Sequence, residues 1–426
     1  MRRRRFVVAA TMFAAVALIG AGCAQEEGGG GTQAAECDSD SLQAFGSVKA
    51  PSSKDFKLAA ARQLAQAKKT VKIGFLGDIT GANSNLVHSQ VKSARLAVKQ
   101  ANESGELQVN LELSEQDNKD GGPDPAPGLA QRLISDAAVL GVVGPAFSGE
   151  TKVTGELFQD AGLTHVSPSA TNPDLTKNGW KTFFRALATD AVQGGQTGQL
   201  IVDVLGCETV AVINDKSEYG AGLAEAVVDS VEEAGGEVVL NEGIEPTTDY
   251  RSVIDSVIAE EPDVLYYSGY VSEAPLVVKQ YRDSGGEGIF MGGDGDKGAD
   301  LIKEGGEDAE GTVLTCPCLD PNASDDQASQ DFAEAYRAEY KEDADIYSAE
   351  GWDATQIFIE AIKAGGANPT RASVLQFVTD LKDFKGLSKT FNWTPEHEVE
   401  EGEITFVYVV RDGKFELIGR IDELAG

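Results

Sequence analysis

Two clusters of small hydroxyl residues carry most of the chemistry this sequence can offer. One reads G-P-A-F-S-G-E-T over 144–151, and the other S-P-S-A-T-N-P-D-L-T over 167–176. Each follows a short apolar run, so each sits where a loop leaves a strand. Ser148, Ser169 and Thr171 would then open into one crevice. Hydroxyl groups beside the free N–H groups of a helix start suit a small carboxylate or ammonium group. No activating partner accompanies them. Ser148 is not in a nucleophile elbow, because Ala146 and Glu150 stand where the flanking glycines belong. No histidine lies near Ser148 or Asp294 in sequence, although His165 could approach in space. There is no G-x-x-x-x-G-K-[ST] loop and no H-E-x-x-H helix. Tyr219-Gly220-Ala221-Gly222 lacks the third glycine of a dinucleotide fingerprint, and Gly220 reads as a tight turn into a helix. Asp117, Asp120 and Asp124 miss the EF-hand spacing and read as a solvated turn. These residues point to a chain that holds a small polar molecule without transforming it, with no cofactor and no metal.

Such loops need a scaffold, and the hydrophobic pattern supplies one. Short apolar strands are expected at 71–76, 107–113, 139–143, 163–166, 209–213, 238–240, 264–267 and 289–291. Helical spacing falls between them at 86–102, 125–136, 151–161, 220–233, 250–259 and 273–282. This alternation defines parallel sheets flanked by helices, an α/β fold. Open sheets of this kind bind ligands at the carboxyl ends of their strands. The loops starting at Gly77, Gly144, Ser167, Asn214, Ser268 and Gly292 all lie there. Near the end, strands at 403–410 and 414–418 flank Arg411-Asp412-Gly413, a hairpin signal that belongs at a sheet edge.

The N-terminus reads as an export signal. A basic start at 2–5 precedes an uncharged apolar run over 6–19, followed by Ala21-Gly22-Cys23. The ending resembles a bacterial lipoprotein signal, which would place lipid on Cys23, although Gly20 stands where Leu is favoured. Arg3-Arg4-Arg5-Phe6-Val7 also resembles a twin-arginine signal, so both export routes stay open. Residues 23–70, with glycines at 28–31 and a helix expected over 58–69, read as a tether. About 355 residues follow, enough for two lobes rather than one core. Lys and Arg total 36 against 69 Asp and Glu, a net charge of −33 that falls to about −37 without the signal. A balance this acidic excludes nucleic acid as a partner. Beyond Cys23, four cysteines (Cys37, Cys207, Cys316 and Cys318) permit three disulfide pairings, and spacing does not choose among them.

From Val71 onward the chain resembles the substrate-binding proteins of branched-chain amino-acid ABC importers, the leucine/isoleucine/valine-binding type. The resemblance rests on six segments in family order. They are G-P-A-F-S at 144–148, S-P-S-A-T-N-P-D-L-T at 167–176, F-F-R at 183–185, N-D-K-S-E-Y-G-A-G-L at 214–223, Y-Y-S-G-Y at 266–270 and F-M-G-G-D-G at 290–295. It implies two Rossmann-like lobes with parallel sheets joined by a three-crossing hinge, the type I periplasmic binding protein fold. Lobe one would span 71–188 and 319–402, and lobe two 189–318 and 403–426.

The resemblance also implies a site. Ser148 would hold the ligand's α-carboxylate. Ser169, Ala170 and Thr171 would face the carboxylate and ammonium, with Ser169 standing where the family uses a backbone carbonyl. Tyr219, Tyr270 and Asp294 would close over the ligand from lobe two. Asp294 replaces the family's usual Glu, and Leu86 takes the position of a frequent aromatic residue. The implied protein is a monomeric extracytoplasmic lipoprotein, tethered through Cys23, that delivers an amino acid to an ABC permease. A ligand-sensing module for a signalling partner is the alternative use of the same fold.

Overall fold

The computed structural model describes residues 68–119, 122–400 and 404–424. The export signal, Cys23, Cys37, the glycine run and most of the helix expected over 58–69 lie outside these residues. Lys68 and Lys69 at its end are not helical.

Two sheets organise the described chain. The first contains β1 (Thr70–Gly77), β2 (Asn110–Asp117), β3 (Val139–Val143), β4 (Thr164–Ser167) and β5 (Phe183–Arg185) in the order β2-β1-β3-β4-β5. All its pairings are parallel. The second contains β6 (Thr209–Asn214), β7 (Glu237–Gly243), β8 (Val264–Ser268), β9 (Ile289–Gly292) and β10 (Val313–Cys316). A small β11 (Phe384–Lys385) and β12 (Thr390–Phe391) pair with each other, and β13 (Phe406–Arg411) and β14 (Lys414–Arg420) complete the second sheet. Its order is β14-β13-β10-β9-β8-β6-β7, with only β13 and β14 antiparallel. The fold is thus α/β with two parallel-sheet lobes.

The strands follow from their burial. β3 reads VLGVV and is buried along its whole length, as a central parallel strand covered on both faces requires. β2 departs from the expected 107–113. Apolar alternation ends at Leu113, but β2 is an edge strand paired with β1 from Asn110 opposite Thr70 to Asp117 opposite Gly77. Its polar half is held by this pairing rather than by burial. The last hairpin turns through Asp412 and Gly413, both at positive φ (50° and 66°), the geometry of a tight two-residue connection.

The region 319–402 carries little strand signal, and the structure fills it with the helices Gln327–Tyr340, Ser348–Ala364 and Arg371–Thr379. The second packs closely on the helix Asn85–Ser104, where a Cβ added to Gly351 would sit 2.8 Å from the Gln90 Cα. These helices therefore cover the first sheet, although β10 before them and β13 after them belong to the second. Cys316 and Cys318 are disulfide-bonded to each other at the end of β10, and Cys207 is a free thiol. Among the described residues, no helix is long and apolar enough to cross a membrane.

Candidate functional site

The loops after β3 and β4 lock together. Ser148 opens the helix Ser148–Asp160, and its hydroxyl accepts the Asn172 N–H at 3.2 Å. The Ser169 hydroxyl donates to the Ala146 carbonyl at 2.7 Å and accepts from Gln90 at 3.0 Å, so its side chain braces the loop. Ala170 donates its N–H to Ser167 Oγ at 2.9 Å, and its carbonyl accepts from Arg185 at 3.0 Å. Arg185 also bonds the Asn172 carbonyl at 3.0 Å, so one guanidinium holds both sides of Thr171. Thr171 is buried, with its carbonyl bonded to the Asp190 N–H at 2.9 Å.

The second lobe presents phenols and a carboxylate. Tyr219, in the first turn of the helix Glu218–Glu233, donates to Asp294 Oδ1 at 2.8 Å and accepts the Gly295 N–H at 2.9 Å. The other Asp294 oxygen accepts from the Tyr347 hydroxyl. Tyr270 lies 5.1 Å from both Phe147, edge to face, and Tyr219. A cavity of about 10 Å³, room for about one water, remains between these groups. Leu86, Phe147, Ser148 and Ser169 line it from one lobe, Tyr219, Tyr270, Asp294 and Gly295 from the other, and Tyr347 from the return segment. Its size lies below the roughly 300–1,000 Å³ of sites for drug-sized ligands. Ala170 and Thr171 do not line the cavity.

Burial sets the electrostatics. It pushes the Asp294 carboxyl up, against hydrogen bonds from Tyr347, Tyr219 and Gln193. Asp190 is pushed well above the carboxylate range, first by burial and then by the Asp294 charge, while Thr171 and Arg185 oppose the shift. The phenols of Tyr219, Tyr270 and Tyr347 are driven up by burial and act as neutral donors and acceptors. Uncompensated negative charge in such a place favours an incoming cation. His165 plays no part: it packs between Phe158 and Phe183, and burial lowers its pKa to about 3. Ser148 therefore has no base in this geometry. Among the described residues, no cluster of His, Cys, Asp and Glu could hold a metal ion.

Three participants carried no sequence signal. Tyr347 precedes a helix with a left-handed backbone (φ 58°), and only the fold brings it to Asp294. Gln193 and Asp190 lie on the helix Asp190–Gln199, which the apolar spacing did not mark. Across the mouth of the cleft, Asn172 donates to the Glu218 carbonyl at 2.6 Å and Lys152 pairs with the Glu218 carboxylate at 2.7 Å.

Two α/β lobes enclosing a small polar cavity, with hydroxyls on one wall and a buried carboxylate on the other, define a solute-binding cleft. The chain belongs to the periplasmic binding protein family, whose model matches residues 70–414. It is 29% identical over 342 residues to the leucine-, isoleucine-, valine-, threonine- and alanine-binding protein of Pseudomonas aeruginosa PAO1, covering 78% of this chain and 90% of that relative. A solved leucine-binding protein of Thermotoga maritima MSB8 shares 25% identity at a TM-score of 0.74, covering 82% of this chain and 98% of that one. An isoleucine complex of a branched-chain amino-acid transporter binding protein from Streptococcus pneumoniae also shares 25% identity at a TM-score of 0.74, covering 82% and 100%. The family is one of solute-binding proteins, not enzymes, and it works outside the cytoplasm.

Proposed function

We propose that this protein captures an amino acid, branched-chain in the leading case, between its two lobes and delivers it to an ABC permease. One observation carries the reading: a buried carboxylate, Asp294, faces the Ser148 helix start across a cavity built from both lobes. A zwitterion satisfies both ends, its carboxylate at the helix N-terminus and its ammonium at Asp294. In this reading Ser148 donates its hydroxyl and N–H to the carboxylate. Thr171, which lies behind the cavity wall in this structure, serves both charged groups once the lobes part for a ligand, and Tyr219 and Tyr270 cover it. Leu86 and Phe147 form the apolar wall. In this reading the chain crosses between the lobes near 189, 319 and 402, and these three crossings form the hinge. Closure follows the hinge motion for which periplasmic binding proteins are a standing example.

Thermal-shift measurement against the twenty amino acids tests the reading. A ligand at a hundred times its Kd adds about 2.7 kcal/mol of stability. Leucine, isoleucine or valine should raise Tm, and a flat response to every amino acid would overturn the proposal. Membrane attachment rests on lipid at Cys23. The Cys23→Ser variant should move to the soluble fraction, whereas unchanged association with membranes would refute the anchor.

A further inference from the structure

We infer that Asp190 is a positioning residue for the ammonium end of the site: its carboxylate accepts a hydrogen bond from the Thr171 hydroxyl and so turns that oxygen's lone pairs toward the ligand. The inference rests on the amino-acid reading above and extends it to a residue behind the cavity wall.

The backbone already joins the pair, through the Asp190 N–H and the Thr171 carbonyl at 2.9 Å. Both side chains are fully buried, and both Asp190 oxygens and the Thr171 hydroxyl are without a hydrogen-bond partner. Buried polar groups are rarely left so, because each orphan costs stability. The Thr171 hydroxyl is the donor that faces Asp190. On the remaining side lies Gly222, where even an added Cβ would come only within 3.6 Å of Asp190 Oδ2. A threonine that donates its one proton to Asp190 keeps only acceptor capacity for the ligand. That state suits an ammonium and rejects a carboxylate.

The charges around the pair imply a proton count. Arg185, on β5, is the one guanidinium here. It spends Nη1 on the Ala170 and Asn172 carbonyls and pairs Nε with Glu398 at 2.7 Å. Asp294 faces Asp190 from the turn after β9, and its charge also bears on Asp296. Tyr266 on β8 and Tyr270 just beyond it feel the Asp190 charge as neutral phenols. Asp190, Asp294 and Glu398 thus share a single cation, so an arriving ammonium displaces a proton to solvent.

Calorimetry with L-leucine, or with whichever amino acid raises Tm most, tests this at pH 6 in two buffers of different ionisation heat. The wild type should release a proton on binding. Asp190→Asn should bind roughly tenfold to a hundredfold more weakly, the effect of a lost charge-assisted hydrogen bond, and release fewer protons. Thr171→Val should weaken binding, and adding Asp190→Asn to it should cost little more. Equal affinity and equal proton release in Asp190→Asn, or losses that simply add, would overturn the inference. Should Asp190→Asn fail to fold, Thr171→Val against Thr171→Ser decides. Rescue by serine, with proton release lowered only in the valine variant, supports the inference, and unchanged release in both refutes it. A wild type that takes up no amino acid defeats the functional reading itself, and this inference with it.

Discussion

At the scale of single residues, Asp294 is the group whose removal should separate ligand binding from folding. Its carboxylate bridges the Tyr219 and Tyr347 hydroxyls in the free site, so it is already oriented when a ligand arrives. Preorganised charge of this kind needs no rearrangement on binding. Asp294→Ala should weaken amino-acid binding by more than about tenfold, the scale of a lost charge-assisted hydrogen bond. Calorimetry showing unchanged affinity would remove Asp294 from the site. The residue was visible in the sequence only through its glycine-rich surroundings, F-M-G-G-D-G, where Asp is also a common turn former. Its partner Tyr347 was invisible, because 53 residues separate the two and no periodicity links them. Ser148 and Ser169 were legible as a pair, but the structure divides their labour. Ser169 spends its hydroxyl on Ala146 and Gln90, whereas Ser148 keeps its hydroxyl proton available.

At the scale of elements, the turn from β3 into the helix Ser148–Asp160 carries a buried acid that makes stability depend on pH. Glu150 bonds Asn118 and the Phe147 N–H, and burial raises its pKa from 4.5 to about 8. In the unfolded chain the group loses its proton near 4.5, while in the folded chain it keeps it to about 8. Across that window the native state holds more protons, so stability falls as pH rises, by up to about 1.4 kcal/mol per pH unit from this group. Glu150→Gln imitates the protonated form. Its Tm should match the wild type near pH 5 and exceed it near pH 8, both within the window set by this carboxyl. Melting curves with the same slope in both proteins would refute the assignment. Strand-helix alternation was legible here because β3, β4, β6 and β8 are buried runs bounded by glycine, serine and asparagine. The helix Ser348–Ala364 was not, since it is buried on nearly every face and leaves no clean stripe, and the stripes of Gln327–Tyr340 and Arg371–Thr379 rest on only four and two buried residues.

At the scale of the whole molecule, affinity depends on contacts that exist only when the lobes meet, because a ligand shifts the open-closed balance by what it gains in one state alone. Two such contacts converge on Glu218 from the opposite lobe. Lys152 reaches its carboxylate at 2.7 Å with 56% of the lysine side chain exposed. Asn172 reaches its carbonyl at 2.6 Å from a buried position. The exposed ion pair contributes roughly 0.2–1 kcal/mol, so Lys152→Ala should weaken binding by a factor of at most about five. The effect should fade in about 1 M salt, where the Debye length is about 3 Å. Asn172→Ala removes a hydrogen bond made from a buried position, which costs about 0.5–1.5 kcal/mol and is insensitive to salt. Both losses belong in the dissociation rate, since the ligand leaves only when the cleft opens. Stopped-flow release measured at low and high salt separates the two. A Lys152→Ala effect that persists in high salt, or that exceeds the Asn172→Ala effect, would mean that Glu218 does not latch the lobes through these contacts.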